Sequence, residues 1–250
     1  MPWTYFGAAP GHRIKRGDCV KGFLVSVSLV FLISLSVAVV IEDWDRSVAV
    51  SSTQEKINGI FILDAGHGGE DGGAVSISGV PESGINLAIA KKLDGLLGFY
   101  GVAPVLLRDQ DISLHDADAI TLREKKVSDL KNRVAAIQAV ERATLISIHQ
   151  NTYPDGRYHG TQAFYAKTDG SQELAQQIQN AIKMTIQHEN KRDVKLIPNT
   201  VYIMNHIDCR AVLIECGFLT NPEEEALLTD ENYQRKFASV LLSVLLDAGT

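Results

Sequence analysis

The chain has 250 residues, 45% hydrophobic and 22% charged, which suits one globular domain of ordinary size with a tail. Its formal net charge of −6 weighs against nucleic-acid binding, which calls for a basic patch. The three cysteines, Cys19, Cys209 and Cys216, form no CxxC pair, so neither a disulfide framework nor a cysteine-based zinc site is expected.

Residues 1–21 form a basic N-terminal segment, with Arg13, Lys15, Arg16 and Lys21. Residues 22–41, GFLVSVSLVFLISLSVAVVI, carry no charge and are long enough to cross a hydrocarbon core of ~30 Å as a helix. Glu42, Asp43 and Asp45 follow it, so the charge asymmetry puts residues 1–21 in the cytoplasm and everything after 42 outside. A membrane anchor is expected; a cleaved signal peptide ending near Ser36-Val37-Ala38 is the alternative. Residues 42–57 read as a linker, and residues 58–250 as the folded domain.

Within that domain apolar runs and helical periodicities alternate. Ile60–Leu63 reads as a strand covered on both faces. Glu82–Leu97 reads as a helix through Ile85, Ile89, Leu93 and Leu96. Val102–Leu107 is a second strand, 109–121 a polar loop, and 122–141 an amphipathic helix through Val127, Leu130, Val134 and Ile137. Thr144–Ile148 and Gly160–Tyr165 are strands, and Gln172–His188 is a helix through Leu174, Ile178 and Ile182. Val201–Met204 and Ala211–Ile214 read as short strands before a last helix, Tyr233–Leu246. The alternation predicts an α/β fold: a mostly parallel twisted sheet with helices on both faces.

Ligand sites in such sheets lie beyond the carboxyl ends of the strands. The first strand runs into FILDAGHGGEDGG, with His67; the strand from Thr144 ends in SIHQN, with His149; the late strand AVLIECGF delivers Glu215. Glu82 opens the first helix on the same face as Ile85 and Ile89, and a carboxylate turned toward a core needs a partner or a metal. His67, Glu82 and His149 together make a His₂Glu set, the ligand type of hydrolytic zinc, which leaves a position for water. Glu215 is then available as general base. The glycines around His67 match neither a P-loop nor a GxGxxG fingerprint. His12, His115, His159, His188 and His206 read as surface or structural residues.

Taken in order, LDAGHGGEDGGA, ESGINLAIAKKL, SIHQN and AVLIECGFLTNPEE resemble the zinc-dependent N-acetylmuramoyl-L-alanine amidases of type 3, over nearly all of 58–248. The resemblance implies hydrolysis of the amide between the lactyl group of N-acetylmuramic acid and the L-alanine of the peptidoglycan stem. It assigns zinc to His67, Glu82 and His149, and catalysis to Glu215. The short N-terminal segment, the absence of wall-binding repeats and SLHDADAITLREKKVSDLKNRV look like the germination-specific branch of endospore formers, which acts on spore cortex. That implies peptidoglycan as substrate, the membrane as a partner through residues 22–41, no nucleic acid, and regulation by an accessory protein or expression timing. Division-associated members carry a blocking helix between the second and third motifs, and none is evident here. The rival readings are another exported metal-dependent wall hydrolase and a non-catalytic wall-binding protein.

Overall fold

The computed structural model describes residues 59–248. The expected N-terminal segments 1–21, 22–41 and 42–57, with Cys19 and His12, lie outside them. Among the described residues no helix is long and apolar enough to cross a membrane.

Six strands form one sheet in the order β2-β1-β3-β6-β4-β5. They are β1 (Ile60–Ala65), β2 (Val105–Leu106), β3 (Ala143–Asn151), β4 (Gln162–Tyr165), β5 (Lys195–Leu196) and β6 (Arg210–Phe218). β2, β1, β3 and β6 run parallel, while β4 is antiparallel to β6 and parallel to β5. The helices are α1 (Glu82–Phe99), α2 (Leu122–Gln138), α3 (Ser171–Thr185), α4 (Pro222–Thr229) and α5 (Glu231–Ala248). The expected mostly parallel sheet is thus present, with an antiparallel pair at one edge.

Side chains of a strand alternate between faces, and the core divides accordingly. Phe61 and Leu63 of β1, Ile146 and Ile148 of β3, and Val212 and Ile214 of β6 pack under α1, α3 and α5. Ile62, Leu145, Ala211 and Leu213 face the other way, against Val134 and Ile137 of α2 and a 3-10 turn at Ile203–Asn205. By the same alternation Asp64, Ser147, His149, Glu215 and Gln162 project from this second face, which a single α-helix covers. His149 and Glu215 therefore stand at the carboxyl edge of the sheet, where the first residue of α1, Glu82, reaches His149.

Three expectations are corrected. Val201–Met204 is not a strand: Asn205 Nδ2 donates to the carbonyls of Pro198 (2.9 Å) and Val201 (2.7 Å), closing the segment into a turn that buries Ile203 and Met204. A four-residue apolar run cannot separate those outcomes. The strand expected over Val102–Leu107 pairs only at Val105–Leu106, after Pro104, which has no N–H to donate. Val127 of α2, expected on the buried face, is exposed, and Asp129 and Arg133 are buried instead. The structure also adds β5 and α4; α4 carries a start signal in Asn221-Pro222, with Asn221 Oδ1 accepting from the N–H groups of Glu223 and Glu224 at 3.0 Å.

Candidate metal centre

His67 stands two residues beyond β1 at φ 62°, the left-handed region that a non-glycine residue enters only when its surroundings hold it there. Two buried arginines do so. Arg133 donates through Nη1 to the Ala65 carbonyl (3.1 Å) and through Nη2 to the His67 carbonyl (2.7 Å). Arg108 donates to the carbonyls of Ala65 (2.8 Å), Gly66 (3.1 Å) and Ser83 (2.8 Å), tying the turn to the first residues of α1. Arg133 is itself paired with Asp64 (2.5 Å) and Asp129 (2.8 Å), and Asp64 accepts from Ser147 Oγ at 2.7 Å. A charge buried this deeply needs such partners. Burial alone would raise the Asp64 pKa, but the charges of Arg133 and His149 and the hydrogen bonds from Ser147 and Arg133 together outweigh it and hold the carboxyl below its usual range.

The ligand atoms of His67, Glu82 and His149 all lie within 4.8 Å of one another. His149 Nδ1 is 2.9 Å and His67 Nε2 3.5 Å from Glu82 Oε1, and the two imidazoles meet edge to face at 5.1 Å. Asp71 takes the other nitrogen of His67, Nδ1, at 3.0 Å. That hydrogen bond, and then the His67 charge, hold the Asp71 carboxyl well down despite partial burial. Such a carboxylate behind a histidine fixes which nitrogen faces inward, as outer partners of metal-binding histidines do.

Glu82 is 3% exposed. Its Oε2 accepts from the Ala74 N–H (2.9 Å), and its Oε1 from the Gln150 N–H (3.0 Å) and Asn86 Nδ2 (3.2 Å). Burial pushes its pKa up; the His149 hydrogen bond and the charges of both histidines push harder and bring it to about 2. It is a carboxylate held ionised. Two nitrogens and one carboxylate oxygen converging in this way fit a zinc ion by donor type and number. No described histidine, cysteine, aspartate or glutamate outside these three joins such a cluster.

Glu215 is the direct register partner of His149 on the neighbouring strand, so their side chains share a face. Its Oε2 is buried without a hydrogen-bond partner. Burial lifts its pKa to about 7, and the His149 charge only partly opposes this. Next to it Cys216 is fully buried, and burial pushes its thiol well above the ordinary value, as expected for an inert core cysteine. Cys209 is also free.

The glycines have a steric reason at two positions. A Cβ on Gly66 would lie 2.1 Å from the His149 ring. A Cβ on Gly73, at φ 70°, would lie 2.6 Å from Glu82 Oε2 and 2.7 Å from His67 Cδ2. The loop threads between the three candidate ligands with no room for a side chain. All four residues picked out by sequence thus come to one edge of the sheet. Sequence reading missed Asp64, Asp71, Arg108 and Arg133, although an aspartate inside the apolar run of β1 signals a buried partner.

Residues 61–245 match the family described as N-acetylmuramoyl-L-alanine amidase. The germination-specific N-acetylmuramoyl-L-alanine amidase of Bacillus subtilis is 32% identical over 188 residues, covering 75% of this chain and 78% of that protein. The solved structure of the CwlD amidase from Clostridioides difficile, in complex with the GerS lipoprotein, is 39% identical with a TM-score of 0.72; the match covers 76% of this chain and 98% of that one. An N-acetylmuramoyl-L-alanine amidase from Clostridium difficile 630 is 31% identical with a TM-score of 0.64, covering 76% and 96%. The chain belongs to the N-acetylmuramoyl-L-alanine amidase family, hydrolases of the peptidoglycan amide bond.

Proposed function

We propose that the chain is a zinc-dependent amidase of spore-cortex peptidoglycan, with His67, Glu82 and His149 holding the metal and Glu215 as the catalytic acid–base. The observation that carries the metal reading is the convergence of the three ligand atoms within 4.8 Å, beside a carboxyl whose Oε2 has no partner. A zinc ion held there supplies a Lewis acid that lowers the pKa of water toward ~7 and polarises a carbonyl. Glu215 accepts the proton of the attacking water at Oε2, and a carboxyl with a pKa near neutrality can both take and return it. Glu215 then donates that proton to the alanine nitrogen as the lactyl amide breaks. Asp71 keeps His67 in one orientation through Nδ1, and Arg108 and Arg133 keep the His67 turn in place.

The cortex assignment rests on likeness to the germination-specific relative. Association with an accessory lipoprotein is inferred by analogy with the amidase solved in complex with GerS. We assign residues 58–250 to the catalytic domain, 42–57 to a linker, 22–41 to a membrane anchor or signal segment and 1–21 to the cytoplasm, so that catalysis takes place on the extracytoplasmic side. The test is digestion of purified cortex and vegetative peptidoglycan by the zinc-loaded chain, with and without chelator. Mass spectrometry is expected to find free stem peptides and intact muramic acid, and chelator to abolish both. Release of sugar fragments or single C-terminal amino acids instead would overturn the amidase reading.

A further inference from the structure

The register across the edge of the sheet continues past the candidate metal centre. His149, Glu215 and Gln162 are successive cross-strand neighbours on β3, β6 and β4, so their side chains form a row on one face. Two strand spacings make that row about 10 Å long. Gln162 is buried, and its Oε1 accepts from Arg192 Nη1 at 2.8 Å.

Arg192 is held by more than this bond. Its Nε donates to the His159 carbonyl (2.9 Å), and its guanidinium lies 4.5 Å from the centre of the Phe218 ring and 5.9 Å from that of Tyr158. Tyr158 in turn stands 4.1 Å from Tyr153, and both tyrosines are largely exposed. Among the described residues no carboxylate forms a salt bridge with Arg192. Arg192 lines an open groove of about 750 Å³ with Arg157, Tyr158, Lys191 and two acids, Asp155 and Glu189. Asp155 is already occupied by Arg157 at 2.7 Å, and the half-buried Glu224, near enough to feel the Arg192 charge, is held by the N–H groups of Gly160 (2.9 Å) and Phe218 (2.8 Å). A guanidinium pre-set on aromatic rings, with donors to spare, is a carboxylate receptor.

We propose that this groove is the subsite for the stem peptide, and that Arg192 binds a free carboxylate carried two to three residues beyond the scissile amide. The proposal deepens the amidase reading above and rests on it. An extended peptide advances ~3.4 Å per residue, so the ~10 Å row brings its second or third residue over Gln162, beside Arg192. A stem residue with a free carboxylate at that position would meet Arg192, and amidation would remove its charge with little change of shape. Arg192 is thereby a specificity residue, distinguishing acidic from amidated stems.

The test uses the purified full chain and two synthetic stem tripeptides beginning with L-alanine, one with a free carboxylate and one amidated at that position. Calorimetric titration of the wild type is expected to give tighter binding of the acidic tripeptide by about tenfold, the weight of one charge-assisted hydrogen bond. Arg192→Gln is expected to bind both peptides alike, and Arg192→Lys to keep part of the preference. Zinc content and circular dichroism should match the wild type in both variants. Equal affinities in the wild type, or a preference that survives in Arg192→Gln, would overturn the proposal. Hydrolysis of the corresponding muramyl peptides is measured separately. A chain that discriminates the peptides but releases none from muramic acid keeps the subsite and loses the amidase reading.

Discussion

At the scale of single residues the candidate site holds two carboxyls of opposite character. Glu82 and Glu215 are both carboxyls at the same edge of the sheet, yet their surroundings drive them apart. Glu82 receives three hydrogen bonds from Ala74, Gln150 and Asn86 and faces two histidines, so it stays ionised. Glu215 is desolvated without a bonding partner for Oε2 and titrates near neutrality. Glu215→Gln is therefore expected to keep zinc at one equivalent while kcat falls by ~10²–10⁴, the usual weight of a general acid–base. Metal analysis with a muropeptide turnover assay checks it, and unchanged turnover would remove Glu215 from the mechanism. Gly66→Ala makes the complementary prediction. Its Cβ would collide with the His149 ring, so that variant should lose zinc affinity while Glu215 stays intact. Full zinc occupancy in Gly66→Ala would show that the ring has room to move.

At the scale of elements, the contribution of α4 can be isolated. Asn221 caps its N-terminus, and Glu224 reaches back to accept from the N–H groups of Gly160 (2.9 Å) and Phe218 (2.8 Å). Asn221→Ala is expected to cost about 1 kcal/mol, lowering Tm by a few degrees with zinc content unchanged. A Tm within one degree of the wild type would mean that the cap is replaced. This helix was not read from the sequence, because PEEEALLT is too short and too acidic to show an apolar period. β5 escaped for a similar reason: its two residues are both exposed, and only the pairing with β4 makes them a strand. By contrast β1, β3 and β6 announced themselves as continuous apolar runs, because they are covered on both faces. The residues of the candidate site were legible in the same way. His67, His149 and Glu215 each follow or end an apolar strand, and Glu82 shares helical spacing with Ile85 and Ile89. The arginines behind them were not legible, because Arg133 sits in a helix rich in charged residues whose burial only the tertiary contact with Asp64 reveals.

At the scale of the whole molecule, the question is how far the fold depends on its metal and on its buried charges. The apolar clusters on both faces of the sheet are built without any residue of the candidate centre. Zinc should therefore stabilise by mass action alone, adding about 2.7 kcal/mol at a hundredfold excess over Kd. Chelation is then expected to lower Tm by roughly 5–10 °C while the far-ultraviolet dichroism stays native. Loss of that dichroism at 25 °C on chelation would make the metal a structural element. The buried Asp64–Arg133 pair acts differently, because its two charges lie under β1, where water does not screen them. The folded pKa of Asp64 is depressed from its ordinary 3.8, so the stabilisation is present above that value and disappears as pH falls through the folded one. In the chelated chain, stability from denaturant unfolding should thus decline below about pH 4. Asp64→Asn removes the titrating group but leaves Arg133 with one acid, Asp129, in a buried site, at a cost of about 3–5 kcal/mol near neutrality. That variant should start lower and fall less steeply with acid. If its profile instead runs parallel to the wild type's from pH 7 to pH 3, the acid sensitivity belongs to other carboxylates, and Asp64 contributes nothing to it.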